Sequence, residues 1–210
     1  MLCIALLAAL AAGAQQQFSR ADTLRGSITP QRAWWDVTGY NLHVRVNPGD
    51  STFSGFNTIT YKVLQPDSLM QIDLQVPMTI DSVIQDKMPL TFTRDGNAWF
   101  IKLAAGQPKG KSKQLTVFYS GKPRPARNAP WDGGVVWAKD EKGRPWIATA
   151  CQGLGASIWW PNKDTQSDEP DNMTISVTVP AGLKDVSNGR LKKTIPNADG
   201  TSTLIWQVKE

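Results

Sequence analysis

The sequence has a single histidine, His43, and that scarcity excludes more chemistry than any other feature of its composition. A zinc hydrolase of the H-E-x-x-H type takes two metal ligands from histidines one helical turn apart, and its base from the glutamate between them. One histidine cannot build that pair. Neither a G-x-S-x-G elbow nor a phosphate-cradling glycine loop is present, so serine-hydrolase and nucleotide chemistry lack their usual scaffolds. Cysteine is almost as rare. Cys3 falls in an apolar leader and Cys151 is left alone, so no intrachain disulfide is expected. A reactive thiol needs a basic neighbour to lower its pKa, and none is evident beside Cys151, which reads as a small packed residue. Long apolar runs are also missing. Residues 1–14 carry no charge, but they fall short of the ~20 residues that span a bilayer. They end in Ala12-Gly13-Ala14, the small-residue pattern of a secretory signal peptide, which predicts export to the periplasm or beyond and no membrane attachment after cleavage.

Charge excludes little beyond nucleic acid. The formal net charge of +5 arises from 23 basic and 18 acidic residues spread along the chain. Lys109 to Lys113 form the only dense basic cluster, and it lies between two apolar runs without stacking aromatics, as a solvated loop would.

What is abundant is period-2 alternation from residue 38 onward. Tyr40, Leu42, Val44 and Val46 share one face, and Phe53, Ile59, Tyr61 and Val63 repeat the pattern. Met70, Ile72 and Leu74 follow; Leu90 and Phe92 run into the hairpin signal Asp95-Gly96, and Trp99, Ile101 and Leu103 return. Leu115 to Tyr119 make another strand, and Val135 and Trp137 are expected to pair with Trp146 and Ile147 across Asp140 to Gly143. Met173 to Val179 and Leu204 to Val208 close the series. Turn formers separate the runs, and no segment after the leader sustains a helical period. The pattern predicts an all-β fold, an antiparallel sandwich in one domain over residues 34–210, with residues 15–33 as an extended lead-in. The final alternating run stops at Glu210 in mid-pattern; it predicts an unprotected last strand and a chain truncated there.

One segment carries more than strand signal. Thr149-Ala150-Cys151-Gln152 is followed by Trp159-Trp160-Pro161 and by Asp168-Glu169-Pro170. It resembles the substrate-entrance segment of the non-catalytic N-terminal domain of M1-family zinc aminopeptidases. There a Thr-x-x-Glu or Thr-x-x-Gln motif offers its last side chain to the substrate's free amine, and an aromatic-Pro-Cys-x-Asp-Glu-Pro block follows. Gln152 falls on the amine-binding position, Pro161 on the block's proline, and Asn162 where Cys is usual. Arg32 to Val37, Gly55 with the Thr58 to Tyr61 strand, and Asp185-Val186-Ser187-Asn188-Gly189 extend the similarity to about residues 25–210. The resemblance implies a saddle-shaped β domain docked in cis on a zinc-bearing catalytic domain. The zinc itself, and the family's Gly-x-Met-x-Asn strand, would lie outside this chain, which alone is expected to be inactive. Gln152 and Gly153 become the candidate substrate-binding residues, with a peptide N-terminus as ligand.

Elementary energetics limits what Gln152 can do. Its amide oxygen can accept a hydrogen bond from an α-ammonium without itself carrying charge. Such a bond contributes about 1.5–3 kcal/mol, whereas even millimolar affinity needs about 4.1 kcal/mol. Gln152 therefore adds selectivity to a pocket whose other wall lies elsewhere. Gly153, Leu154 and Gly155 suit either a close backbone approach or a flexible loop. Asp164, Asp168 and Glu169 do not have the spacing of an EF-hand and read as a solvated acidic turn or a domain contact. Nine tryptophans include the doublets Trp34-Trp35 and Trp159-Trp160. One ring of each should face outward from a strand, covered by another domain or, in an alternative reading, exposed as the platform of a secreted glycan- or protein-binding module.

Overall fold

The alternating runs become ten of the thirteen strands in the computed structural model, which describes residues 18–209; the strands Thr79–Gln85, Met88–Pro89 and Arg190–Pro196 are not among them, and the expected leader at 1–14 lies outside the described residues. In chain order they are β1 (Trp35–Asn47), β2 (Thr52–Val63), β3 (Leu69–Asp73), β4 (Thr79–Gln85), β5 (Met88–Pro89), β6 (Thr91–Asp95) and β7 (Ala98–Lys102). Then come β8 (Ser112–Gly121), β9 (Gly134–Lys139), β10 (Pro145–Ala150), β11 (Asn172–Val179), β12 (Arg190–Pro196) and β13 (Ser202–Lys209). Eight of them form one large sheet in the order β12-β13-β11-β1-β2-β8-β4-β5. β3, β7 and β6 form a second sheet, and β9 pairs with β10 in a third. The all-β reading holds. The sheet is mixed rather than purely antiparallel, because β1 and β11 run parallel from Gly39–Asn172 to Arg45–Thr178. A parallel pair needs a long crossover, and here all the strands of the two small sheets lie within it.

The final strand also departs from expectation. β13 is hydrogen-bonded on both sides, to β11 and to β12, so the free edge belongs to β12. That edge exposes Arg190, Lys192 and Lys193, charges that discourage edge-to-edge pairing.

The core lies between the large sheet and the two small ones. Leu42, Ile59, Tyr61, Val117, Met70, Ile72 and Ile101 are each no more than 1% exposed. Both rings of the first tryptophan doublet join them, which corrects the outward-facing expectation: Trp34 and Trp35 pack edge-on against Tyr61 with centroids 5.9 and 5.8 Å away. The physical reason is that Trp34 ends a helix while Trp35 begins β1, so strand alternation does not apply across the pair. Their indole N–H groups donate to the Leu69 and Gln31 carbonyls. Trp160 is buried and Trp159 half-buried, which leaves the doublets without the exposed platform that a glycan site would need. The outward tryptophans are Trp131 and Trp146.

The lead-in is not extended over its described part. It contains α1 (Arg20–Gly26) and α2 (Pro30–Ala33). Ser19 and Asp22 make a reciprocal capping box at the start of α1, and Pro30 occupies the first turn of α2. Neither helix has an apolar stripe for periodicity to detect, and α1 buries no side chain at all.

All three tyrosines of the chain, Tyr40, Tyr61 and Tyr119, are buried. Burial pushes the Tyr61 phenol up to about 12, although the Gln85 amide donates to its oxygen and favours the ionised form. Burial likewise raises Tyr40 and Tyr119. The unfolded chain therefore loses these protons first, near the ordinary value of 10.0, and stability falls as pH climbs from there through about 12. Absorbance at tyrosinate wavelengths is expected to stay flat near pH 10 and rise only with loss of the β-sheet circular dichroism signal. A tyrosine ionising near pH 10 in the intact fold would contradict the packing.

Candidate functional site

Strand β10 delivers the candidate residues to a tight turn. After Ala150 the carbonyl of Cys151 accepts from the Leu154 and Gly155 amides at 3.0 and 2.9 Å, and a short 3-10 turn, Ala156–Ile158, follows. Gln152 and Gly153 lie exposed at the tip. Of the two openings left for the glycines, each finds one place. Gly153 (φ +70°) has open space where a Cβ would stand. Gly155 (φ +81°) is the close approach, because a Cβ there would sit 2.0 Å from Asp164 Oδ2. Cys151 is half-buried and free, and burial pushes its thiol pKa up, away from the reactive thiolate.

Beneath the tip lies a buried polar network that sequence reading missed. Asp73 Oδ2 accepts from Arg32 Nη2 at 2.5 Å and from the Asp164 amide at 3.0 Å, while Oδ1 accepts from Gln71 Nε2 at 3.0 Å. The Asp73 and Asn162 backbones exchange hydrogen bonds of 2.8 and 3.1 Å. Asp164 Oδ2 in turn accepts from the Ser157 hydroxyl, and Gln75 Nε2 donates to the Leu154 carbonyl at 2.6 Å and to Ser157 Oγ at 2.9 Å. The turn is thus held from below through Leu154 and Ser157. Gln71, Asp73 and Gln75 alternate with Met70, Ile72 and Leu74, so periodicity assigns them to solvent. They are nevertheless 0, 5 and 8% exposed, because α1, α2 and the turn cover the second face of β3. The detectable signal was compositional: three polar residues without a lysine or glutamate on a strand otherwise fit for the core.

The acidic block is structural rather than solvated. Lys163, itself buried, forms an ion pair with Asp168, donates to the Trp35 carbonyl at 2.5 Å, and places its ammonium 4.3 Å from the Trp35 ring. Burial lowers the Lys163 pKa, and Asp168 opposes that shift. Asp36 nearby is raised by burial and then by the Asp168 charge. Glu169 alone of the three predicted acids is exposed. Asn162, at the family's cysteine position, donates to the Trp160 carbonyl at 3.0 Å.

The described residues offer a metal ion no donor set. His43 is half-buried, stacks on Phe56 at 4.3 Å, and has its pKa lowered by burial. Among the described residues no group of three or more His, Cys, Asp or Glu side chains is placed to hold an ion. The residues present do not fit a zinc site. Two concavities flank the turn's supports. One of about 620 Å³ separates the β9–β10 hairpin from Val44, Phe53 and Val179 of the large sheet; the other, about 300 Å³, lies between α1 and Asp73. Gln152 lines neither.

A large mixed sheet backed by two small ones, with an anchored turn after β10, is the fold of an M1-peptidase N-terminal domain. The family model for the Peptidase M1 N-terminal domain matches residues 37–209, and the chain belongs to that family. It is similar in structure to an M1 zinc metallopeptidase from Deinococcus radiodurans (TM-score 0.68, 23% identity), covering 82% of this chain and 38% of that one. A point mutant of an M1 zinc metallopeptidase from Deinococcus radiodurans bound to a Tyr-Ser-Ala substrate gives a TM-score of 0.70 at 22% identity, covering 88% and 42%. Leukotriene A4 hydrolase from Saccharomyces cerevisiae aligns over 94% of this chain and 30% of its own, at 15% identity and a TM-score of 0.64. The chain therefore spans well under half the length of these proteins. No curated protein sequence matches it.

The network makes a clear stability claim. Asp73→Ala leaves the Arg32 guanidinium, 0% exposed and with its Nε already unpartnered, without a counter-charge. Breaking one side of such a buried pair costs about 3–5 kcal/mol. Urea unfolding should show that loss; a change under 1 kcal/mol would contradict the network's role.

Proposed function

We propose that this chain is the non-catalytic N-terminal domain of an exported M1-type zinc aminopeptidase. It packs in cis on a catalytic domain that carries the zinc, and its Gln152 turn helps to bind the free N-terminus of a peptide. The observation that carries this reading is the state of the turn: Gln152 and Gly153 project into solvent from a backbone pinned beneath by Gln75, Ser157 and Asp164. An exposed amide on a rigid support is what a recognition wall requires, because little freedom is lost when a ligand arrives. The Gln152 oxygen accepts one ammonium hydrogen, Gly153 leaves room beside it, and the chemistry falls to the metal-bearing partner. Similarity to enzymes that carry a second domain supports that division of labour, and the uncharged leader over residues 1–14 supports export.

In the complete protein, Gln152→Ala should lower kcat/KM for peptides with a free amine by roughly 10–100-fold, the loss expected of one charge-assisted hydrogen bond. Unchanged peptide kinetics would remove Gln152 from substrate binding.

A further inference from the structure

The tip of the Gln152 turn is touched by a residue 128 positions earlier in the chain. Arg25, in the last turn of α1, donates from Nη2 to the Gly153 carbonyl. Among the described residues no other side chain hydrogen-bonds to Gln152 or Gly153. The inner side of the turn is fixed through Cys151 and Leu154, but Gln152 and Gly153 are exposed, and Gly153 has open space where a Cβ would stand. Exposed segments with few buried contacts open locally at low free energy, so a hydrogen bond to the tip's carbonyl adds restraint.

Apolar burial does not place α1, since none of its side chains is buried. Polar links do. The Leu24 carbonyl accepts from Gln71 Nε2 at 3.0 Å, and the Arg25 and Ser27 carbonyls accept from Arg32 Nη1 at 3.1 and 2.9 Å. Gln71 and Arg32 are the same two buried side chains that grip Asp73. At its other end, α1 is tied by the Arg20–Asp95 ion pair at 2.7 Å. Arg25 is therefore held by its backbone at the buried network and by its side chain at the exposed tip. Arg25 also lines the 300 Å³ cleft between α1 and Asp73.

We infer that Arg25 is a positioning residue: α1 acts as a strap whose Arg25 guanidinium latches the Gly153 carbonyl and holds Gln152 in one orientation toward the peptide amine. The inference rests on the function proposed above for Gln152, but the latch itself can be measured without it. Arg25 is exposed, so its replacement leaves the core intact.

Hydrogen exchange on this chain provides the first readout. In Arg25→Ala the Leu154 and Gly155 amides, which donate to Cys151, should exchange about fivefold faster, as the loss of one hydrogen bond allows. Strand amides should not change, and Arg25→Lys, which keeps a cationic donor, should recover part of the protection. Unchanged exchange in Arg25→Ala overturns the latch. In the complete protein, Arg25→Ala should raise KM for free-amine peptides about fivefold with kcat nearly constant. If Gln152→Ala raises KM and Arg25→Ala does not, the positioning role falls while the amine reading stands. If exchange responds to Arg25→Ala but Gln152→Ala is kinetically silent, the latch stands and the amine reading falls.

Discussion

The Asp73 carboxylate is where the separate parts of this molecule meet. It sits at the end of β3, receives Arg32 from α2, Gln71 from its own strand and the Asp164 amide from the block that follows the turn. A buried ion pair is a doubtful source of stability, since desolvating both charges costs several kcal/mol and the attraction repays it only with good geometry and further hydrogen bonds. Burial accordingly pushes the Asp73 carboxyl pKa upward, with the Arg32 guanidinium pulling the other way. What such a network supplies is direction. Three segments distant in sequence must arrive in one arrangement, or a charge remains buried without its partner.

The Lys163–Asp168 pair repeats this logic on the neighbouring side of the block. Lys163 reaches back to the start of β1 through the Trp35 carbonyl and ring, while its amide meets the Tyr40 hydroxyl. Residues 156–168 are thereby stapled to β1 by Lys163 and to β3 by Asn162 and Asp164. Gln152 and Gly153 face outward from the turn at 151–155, above the hydrogen bonds that hold Leu154 and Ser157. The role proposed for Gln152 depends on that contrast between a held support and a free surface.

Much of the fold could be read from the sequence because alternation reports burial on one face. Every strand run named from periodicity became a strand, and the Asp95-Gly96 and Asp140–Gly143 turns closed their hairpins with Gly96 and Gly143 at positive φ. The errors fall where a second layer covers the other face. Gln71 and Asp73 on β3, and Gln75 just after it, alternate with core residues as solvent-facing positions would, yet α1, α2 and the turn lie over them. Trp34 and Trp35 read as an in-out pair, yet a helix end separates them. α1 offered no periodic signal because polar links place it, and the parallel β1–β11 pairing depends on a crossover that local pattern does not encode. Gln152 came into view through motif resemblance; its supports did not, because they join residues 25–75 to Ser157 and Asp164 through contacts that local pattern does not encode.

The central claim is that a fixed, outward turn in this domain forms one wall of a peptide-amine site completed by another domain. The most direct test is a crystal structure of the complete polypeptide with a peptide bound. The account predicts Gln152 Oε1 at about 3 Å from the peptide ammonium, with the Cys151–Gly155 backbone as in the unliganded state. A peptide amine held by other groups, with Gln152 turned to bulk solvent, would contradict it.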